Sequence, residues 1–147
     1  MPTQARTDTQ VYQYIEFSTG PPLEDYIRHP QTGDLVDLTG ATAKISIAWS
    51  MPHGSYYTSP RDRIVDEQPA VVDPDQVNNI GKVAWTPGTT KDVDALTPPG
   101  TFLYQWYVTF TSGEYDGQEW IVPGNTYQPL VIRARVGGRA YNPGGTV

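Results

Sequence analysis

Residues 98–110 read Pro98-Pro99-Gly100-Thr101-Phe102-Leu103-Tyr104-Gln105-Trp106-Tyr107-Val108-Thr109-Phe110, and the reading of this stretch decides the fold. Side chains on a strand alternate between its two faces. The even positions Phe102, Tyr104, Trp106, Val108 and Phe110 therefore form one wholly apolar or aromatic face. The odd positions Thr101, Leu103, Gln105, Tyr107 and Thr109 form a mixed face suited to partial contact with water. Ten residues so rich in aromatic and β-branched types fit a strand and no helix. Pro99-Gly100 suits the centre of a type II turn, where Pro presets φ at the first central position and Gly accepts φ > 0 at the second. One strand with so heavy an inner face predicts an all-β core.

Working outward, the same alternation recurs. Ala41, Ala43, Ile45, Ile47 and Trp49 share a face, with Thr42, Lys44 and Ser46 opposite, which predicts a half-buried strand over 41–49. Weaker strands are expected over 11–17 and 23–29, at Leu35-Val36, within 64–72 centred on 70–72, and at Lys82–Trp85 with Val83 and Trp85 inward. Residues 118–122 return as the hairpin partner of 101–110 and bring Trp120 to the core. A last strand over 127–136 carries Leu130, Ile132, Ala134 and Val136 on one face. The connections have turn chemistry: residues 30–34 (PQTGD) place Gly33 at a φ > 0 position, and 73–81 (DPDQVNNIG) is a turn region. Residues 86–96 have room for a single helical turn. Strands spaced this closely and divided by turns predict a two-sheet sandwich of about 7–8 antiparallel strands. Residues 1–10 read as a polar arm, 11–136 as the single domain and 137–147 as a Gly-rich tail.

Bulk composition agrees. The chain has 147 residues, 14 Gly, 14 Pro, 10 Tyr, 4 Trp and no Cys. That length suits one domain able to bury roughly two-thirds of its unfolded surface without a staple. The aromatic, turn-rich balance is that of a β protein. With no Cys there is no disulfide scaffold and no thiolate metal site. A net charge of −6 argues against direct nucleic-acid binding and against an anionic membrane surface. No apolar run reaches membrane-spanning length and residues 1–10 lack a signal-peptide core, so a soluble protein made in a cytoplasm is expected.

Catalytic patterns are sparse. His29 and His53 lie far apart, each near a Pro, and are expected as solvated loop residues rather than as convergent metal ligands. Asp73 with Asp75, and Asp92 with Asp94, offer oxygen ligands for calcium, but neither pair has the full ligand series, and turn or cap use is the commoner role. Glu114, Asp116 and Glu119 flank a hairpin tip where carboxylates stay solvated. No nucleophile elbow and no phosphate loop occurs. No enzyme activity and no cofactor are expected. The 50–63 loop (SMPHGSYYTSPRDR) is the stronger candidate, because long loops in small domains usually have a role. Its Met51, Tyr56, Tyr57, Arg61 and Arg63 are types enriched at protein interfaces. Tyr141 in the tail joins them.

Three segments together resemble the N-terminal domain of the baseplate upper protein family of tailed bacteriophages. The first is Gly20-Pro21-Pro22-Leu23. The second is Gly33-Asp34-Leu35-Val36-Asp37-Leu38-Thr39-Gly40-Ala41-Thr42, running into the strand at Ile45 and Ile47. The third is Gly81-Lys82-Val83-Ala84-Trp85 with Pro99-Gly100-Thr101-Phe102 and the strand to Phe110, closed by Trp120–Pro123 and Leu130–Ile132. The resemblance covers roughly Phe17 to Val136. It implies an immunoglobulin-like β-sandwich in a virion, assembled in the host bacterial cytoplasm, with no catalytic residues. The 50–63 loop is longer than the tight turn usual there, and the long C-terminal region of a baseplate upper protein is not present in these 147 residues.

The expectation is a virion structural protein docking in many copies on the tail, baseplate or head–tail region through the loop, arm and tail. Its partners would be tail, neck or major capsid proteins and copies of itself. Capsid decoration is one alternative. A host-glycan-binding module, with Tyr56, Tyr57 and Tyr115 stacking on sugars, is another.

Overall fold

The computed structural model describes residues 12–49, 63–88, 95–123 and 130–136. The arm, the tail, most of the 50–63 loop and residues 89–94 of the segment expected to hold a helical turn lie outside them. So do Met51, His53, Tyr56, Tyr57, Arg61, Asp92, Asp94 and Tyr141. The fold is all-β, with no helix among the described residues. The strands are β1 (Gln13–Ile15), β2 (Leu23–Tyr26), β3 (Thr42–Trp49), β4 (Arg63–Val72), β5 (Lys82–Trp85), β6 (Gly100–Thr109), β7 (Glu119–Pro123) and β8 (Leu130–Arg133). They form one curled sheet in the order β1-β8-β6-β3-β4-β5-β2, with β7 also paired to β6. β1 and β8 are parallel, and the other pairs are antiparallel.

The aromatic strand is central, as its composition predicts. β6 pairs with β3 over Phe102–Thr109, and on its other side with β8 and then β7. Phe102, Tyr104, Trp106, Val108 and Phe110 are all buried, together with Ile45, Ile47 and Trp85. Trp120 is half-buried and packs against this core. Tyr107 is the exception on the mixed face, at 7 % exposure. It stands opposite Lys44 on β3 and Ile121 on β7, and Gln105 Nε2 donates to its hydroxyl at 2.8 Å. Neighbouring strands on both sides cover a ring whose own strand left it open.

Three local readings change. Gly100 does take a positive φ, 155°, but as the first residue of β6 and not as the centre of a type II turn. Its missing side chain matters for another reason, because the Trp49 ring lies against it and a Cβ would meet Cη2 at 3.0 Å. Leu35-Val36 makes only an isolated bridge, Arg28 to Leu35. β8 stops at Arg133, so Leu130 and Ile132 are buried while Ala134 and Val136 are exposed. Gly33 does take φ 79° in the expected turn.

β4 explains how the sheet curls. Its pairing with β3 steps from Ile45↔Gln68 to Ile47↔Val65, one residue longer on β4. This bulge sits at Glu67, φ 46°, whose amide donates to the buried hydroxyl of Ser46 at 2.9 Å. A bulge bends its strand and adds twist. It also switches face parity, so Val65 points inward before it and the half-buried Gln68, Ala70 and Val72 after it. Beyond the bend, Val71 and Val72 pair with β5. β5 and β2 then face β6 across the core, where Trp106 Nε1 donates to the Asp25 carboxylate at 3.1 Å.

The two ends of the sheet meet through side chains. The Tyr12 hydroxyl accepts from Glu24 N at 3.1 Å and donates to Glu24 O at 2.9 Å, and the Tyr14 hydroxyl donates to Pro21 O at 2.8 Å. Glu16, at 2 % exposure, accepts from the Thr97 hydroxyl at 2.6 Å and ties β1 to the segment leading into β6.

Candidate functional site: an aromatic and acidic groove

One end of the curled sheet carries a groove of about 690 Å³. One wall is the connection between β2 and β3, with His29, Thr32, Asp34, Asp37 and Thr39. The other is the β6–β7 hairpin, with Ser112, Glu114 and Tyr115. Val36, Ile80 and Phe110 lie between. Turn residues build both walls, so the groove is made by connections set on a rigid sheet, a common arrangement for binding sites.

The walls are fixed from below. Gln76 is buried at 7 % exposure, and its Oε1 accepts from Leu38 N and from Gly81 N, both at 2.9 Å. Its Nε2 donates to Asp73 O at 2.7 Å. One amide side chain thus joins the connection at Leu38 to the 73–81 turn. The Thr111 hydroxyl donates to Gly40 O at 2.6 Å and links the two walls.

Four rings gather at one end. Phe110 and Trp120 are 4.8 Å apart, Tyr115 and Trp120 4.7 Å, and Phe110 and Tyr115 5.4 Å. His29 joins them edge-on to Trp120 at 5.5 Å and lies 6.1 Å from Tyr115. Such tilted and edge contacts are the favoured aromatic geometries. His29 Nδ1 accepts from Gln31 N at 3.1 Å and Thr32 N at 3.3 Å. An accepting Nδ1 places the ring proton of neutral His29 on Nε2.

The groove is acidic. Asp34, Asp37 and Glu114 line it, and none of the described lining residues is Lys or Arg. The Thr39 hydroxyl and then its amide hold the Asp37 carboxyl below the ordinary aspartate range. Among the described residues, no protein donor reaches the carboxylates of Asp34 or Glu114.

Of the described residues singled out in the sequence as chemical candidates, the groove gathers His29, Glu114 and Tyr115, with Phe110 of the predicted core, and leaves out Arg63, Asp73, Asp75, Asp116 and Glu119. His29 is half-buried in a ring cluster rather than solvated. Its ring partners stand more than 80 positions away, a relation no local pattern signals. Gln76 was invisible too, because it sits in a polar turn with nothing to mark its burial or its bond to Leu38. Asp73 and Asp75 spend their carboxylates on turn amides: Asp73 accepts from Asp75 N at 2.8 Å, and Asp75 from Val77 N at 3.2 Å and Asn78 N at 3.1 Å. Asp116 and Glu119 are exposed at the hairpin. Arg63, the described member of the interface set, pairs with Asp66 and, at 3.7 Å, with Glu67 on its own strand. No group of three or more metal-ligating side chains converges among the described residues. No helix among them is long and apolar enough to cross a membrane. Compared with known proteins, the chain matches no family model, no curated protein and no solved structure.

Proposed function

We propose that the chain is a non-enzymatic structural protein of a tailed-phage virion, an immunoglobulin-like module that docks in many copies on the tail, baseplate or head–tail region. The observation that carries this reading is where the phage-like segments fall. Asp37-Leu38-Thr39-Gly40, the end of the second segment before Ala41 and Thr42, leads into β3, Gly81–Trp85 is β5 with its leading residue, and Gly100–Phe110 is β6 with its exit residue, while Gly20-Pro21-Pro22-Leu23 enters β2. Each contributes to one buried cluster: Leu38 before β3, Val83 and Trp85 on β5, Phe102, Tyr104, Trp106, Val108 and Phe110 on β6 and its exit, and Leu23 on β2. Gln76 further ties the stretch before β3 to the residue leading into β5, through Leu38 and Gly81. A resemblance confined to short motifs gains weight when those motifs are the mutually packed parts of one core.

The mechanism is multivalent attachment. A module with modest contacts per copy binds a symmetric particle stably, because each occupied site raises the effective concentration for its neighbours. The 50–63 loop, arm and tail supply the contacts in this reading. The test is gold labelling and mass spectrometry of purified particles, with the full chain against chains lacking 1–10 or 138–147. Labelling at the tail or neck, lost on trimming, is expected. Labelling spread over the head would replace the tail assignment with capsid decoration. Absence from particles would end the structural reading.

A further inference from the structure

We propose that the groove between the β2–β3 connection and the β6–β7 hairpin binds a neutral saccharide. Its volume of about 690 Å³ falls within the range of small-ligand sites and has room for a short oligosaccharide. A sugar ring has an apolar C–H face and a rim of hydroxyls that both donate and accept. The groove offers the complement of each. Tyr115 and His29 supply half-exposed rings at one end. Asp34, Asp37 and Glu114 accept from hydroxyls through charge-assisted bonds, stronger than neutral ones. The Thr32 and Ser112 hydroxyls and His29 Nε2–H donate.

The mixture of donors and acceptors decides the ligand class. A cationic side chain would answer the carboxylates and the rings, but it has only donors, leaving His29 Nε2 and the two hydroxyls without acceptors. A sugar satisfies both sets. An acidic sugar is disfavoured by charge, since a uronate, sialate or sulfate would meet three carboxylates and, among the described lining residues, no cation.

The groove is also preorganised, which lowers the ordering cost of binding. Tyr115 is held between Phe110 and Trp120. Asp37 is held by Thr39, at 2.6 Å from its hydroxyl. Two backbone amides set the His29 ring.

The experiment is a glycan array probed with the full chain, followed by calorimetric titration with maltotriose, cellotriose and chitotriose, and with sialyllactose as the acidic probe. Binding of at least one neutral probe and none of sialyllactose is expected. Tyr115→Ala should weaken that binding by about tenfold, the scale of one lost aromatic contact. Glu114→Gln should weaken it several-fold, and Ile121→Ser, on the far face of the sheet, should leave it unchanged. Circular dichroism of each variant separates loss of binding from loss of fold. No neutral ligand on the array, or binding indifferent to Tyr115→Ala, overturns the proposal. So does a tetra-arginine peptide that binds where the neutral probes do not, which would make the groove a site for a basic protein segment. Particle incorporation is scored separately, so either reading can fail alone.

Discussion

Gln76 occupies three backbone partners at once, and its neighbours in sequence give no hint of it. Replacing it with leucine keeps the volume but orphans the amides of Leu38 and Gly81 and the carbonyl of Asp73. An orphaned buried group costs about 1–3 kcal/mol, so Gln76→Leu should lose about 3 kcal/mol or more in urea denaturation. A loss below about 1 kcal/mol would mean that water replaces the amide. Asp75 makes a different residue-scale case. Hydrogen bonds from the Asn78 side chain, then from the Asn78 and Val77 amides, hold its carboxyl below the ordinary range. A lowered folded value stabilises above the unfolded pKa of about 4 and is lost as pH falls through the folded one. The Tm gap between wild type and Asp75→Ala should therefore be largest near neutrality and close toward pH 2. A gap constant with pH would assign the effect to turn geometry instead of charge. At this scale the sequence was least legible: the roles of His29, Ser46 and Gln76 depend on contacts across the fold.

Elements were legible in proportion to how strictly they alternate. β6 and β3 keep period two with large apolar residues on one side, so their inner faces were readable residue by residue. β5 was equally clear at four residues, because Val83 and Trp85 both point inward. β4 was blurred by its bulge: inward positions change parity at Glu67, and only the half beyond the bend reads as a continuous pattern. The junction of β1 with β2 carries no pattern at all, being made by tyrosine hydroxyls on an edge backbone. Sheet edges left open invite pairing with other chains. Tyr12 answers both backbone groups of Glu24 on β2, while β7, paired only with β6 among the described residues, ends in Pro123. Tyr12→Phe removes two hydrogen bonds and should cost about 1–3 kcal/mol, at about 0.5–1.5 kcal/mol net for each. It should also speed hydrogen exchange of the Glu24 amide while leaving Val83 and Trp85 protected. Unchanged exchange at Glu24 would show that the edge is closed by something other than the hydroxyl.

At the scale of the molecule, one buried cluster runs from Tyr14 on β1 through β6 and β3 to Leu23 on β2. Trp106 lies at its middle, fully buried, and reaches Asp25 on the opposite flank of the curled sheet. The all-β aromatic core expected from the sequence is present because it needs only volume, apolarity and alternation, whereas the curl needed a bulge that no composition encodes. With the ends of the described sheet joined by Tyr12 and Tyr14, separating β2 from β1 exposes part of the one buried cluster. Small domains built this way unfold in one step. Tryptophan fluorescence and far-ultraviolet circular dichroism should therefore trace the same transition in urea. Trp106→Phe opens a cavity and removes the bond to Asp25, so it should shift that shared midpoint down by about 2–4 kcal/mol of stability. The two signals should still coincide in the variant. Separate transitions would mean that β2 and β5 form a layer able to detach while β3 and β6 remain paired, and that the bridge from Trp106 to Asp25 is what couples them.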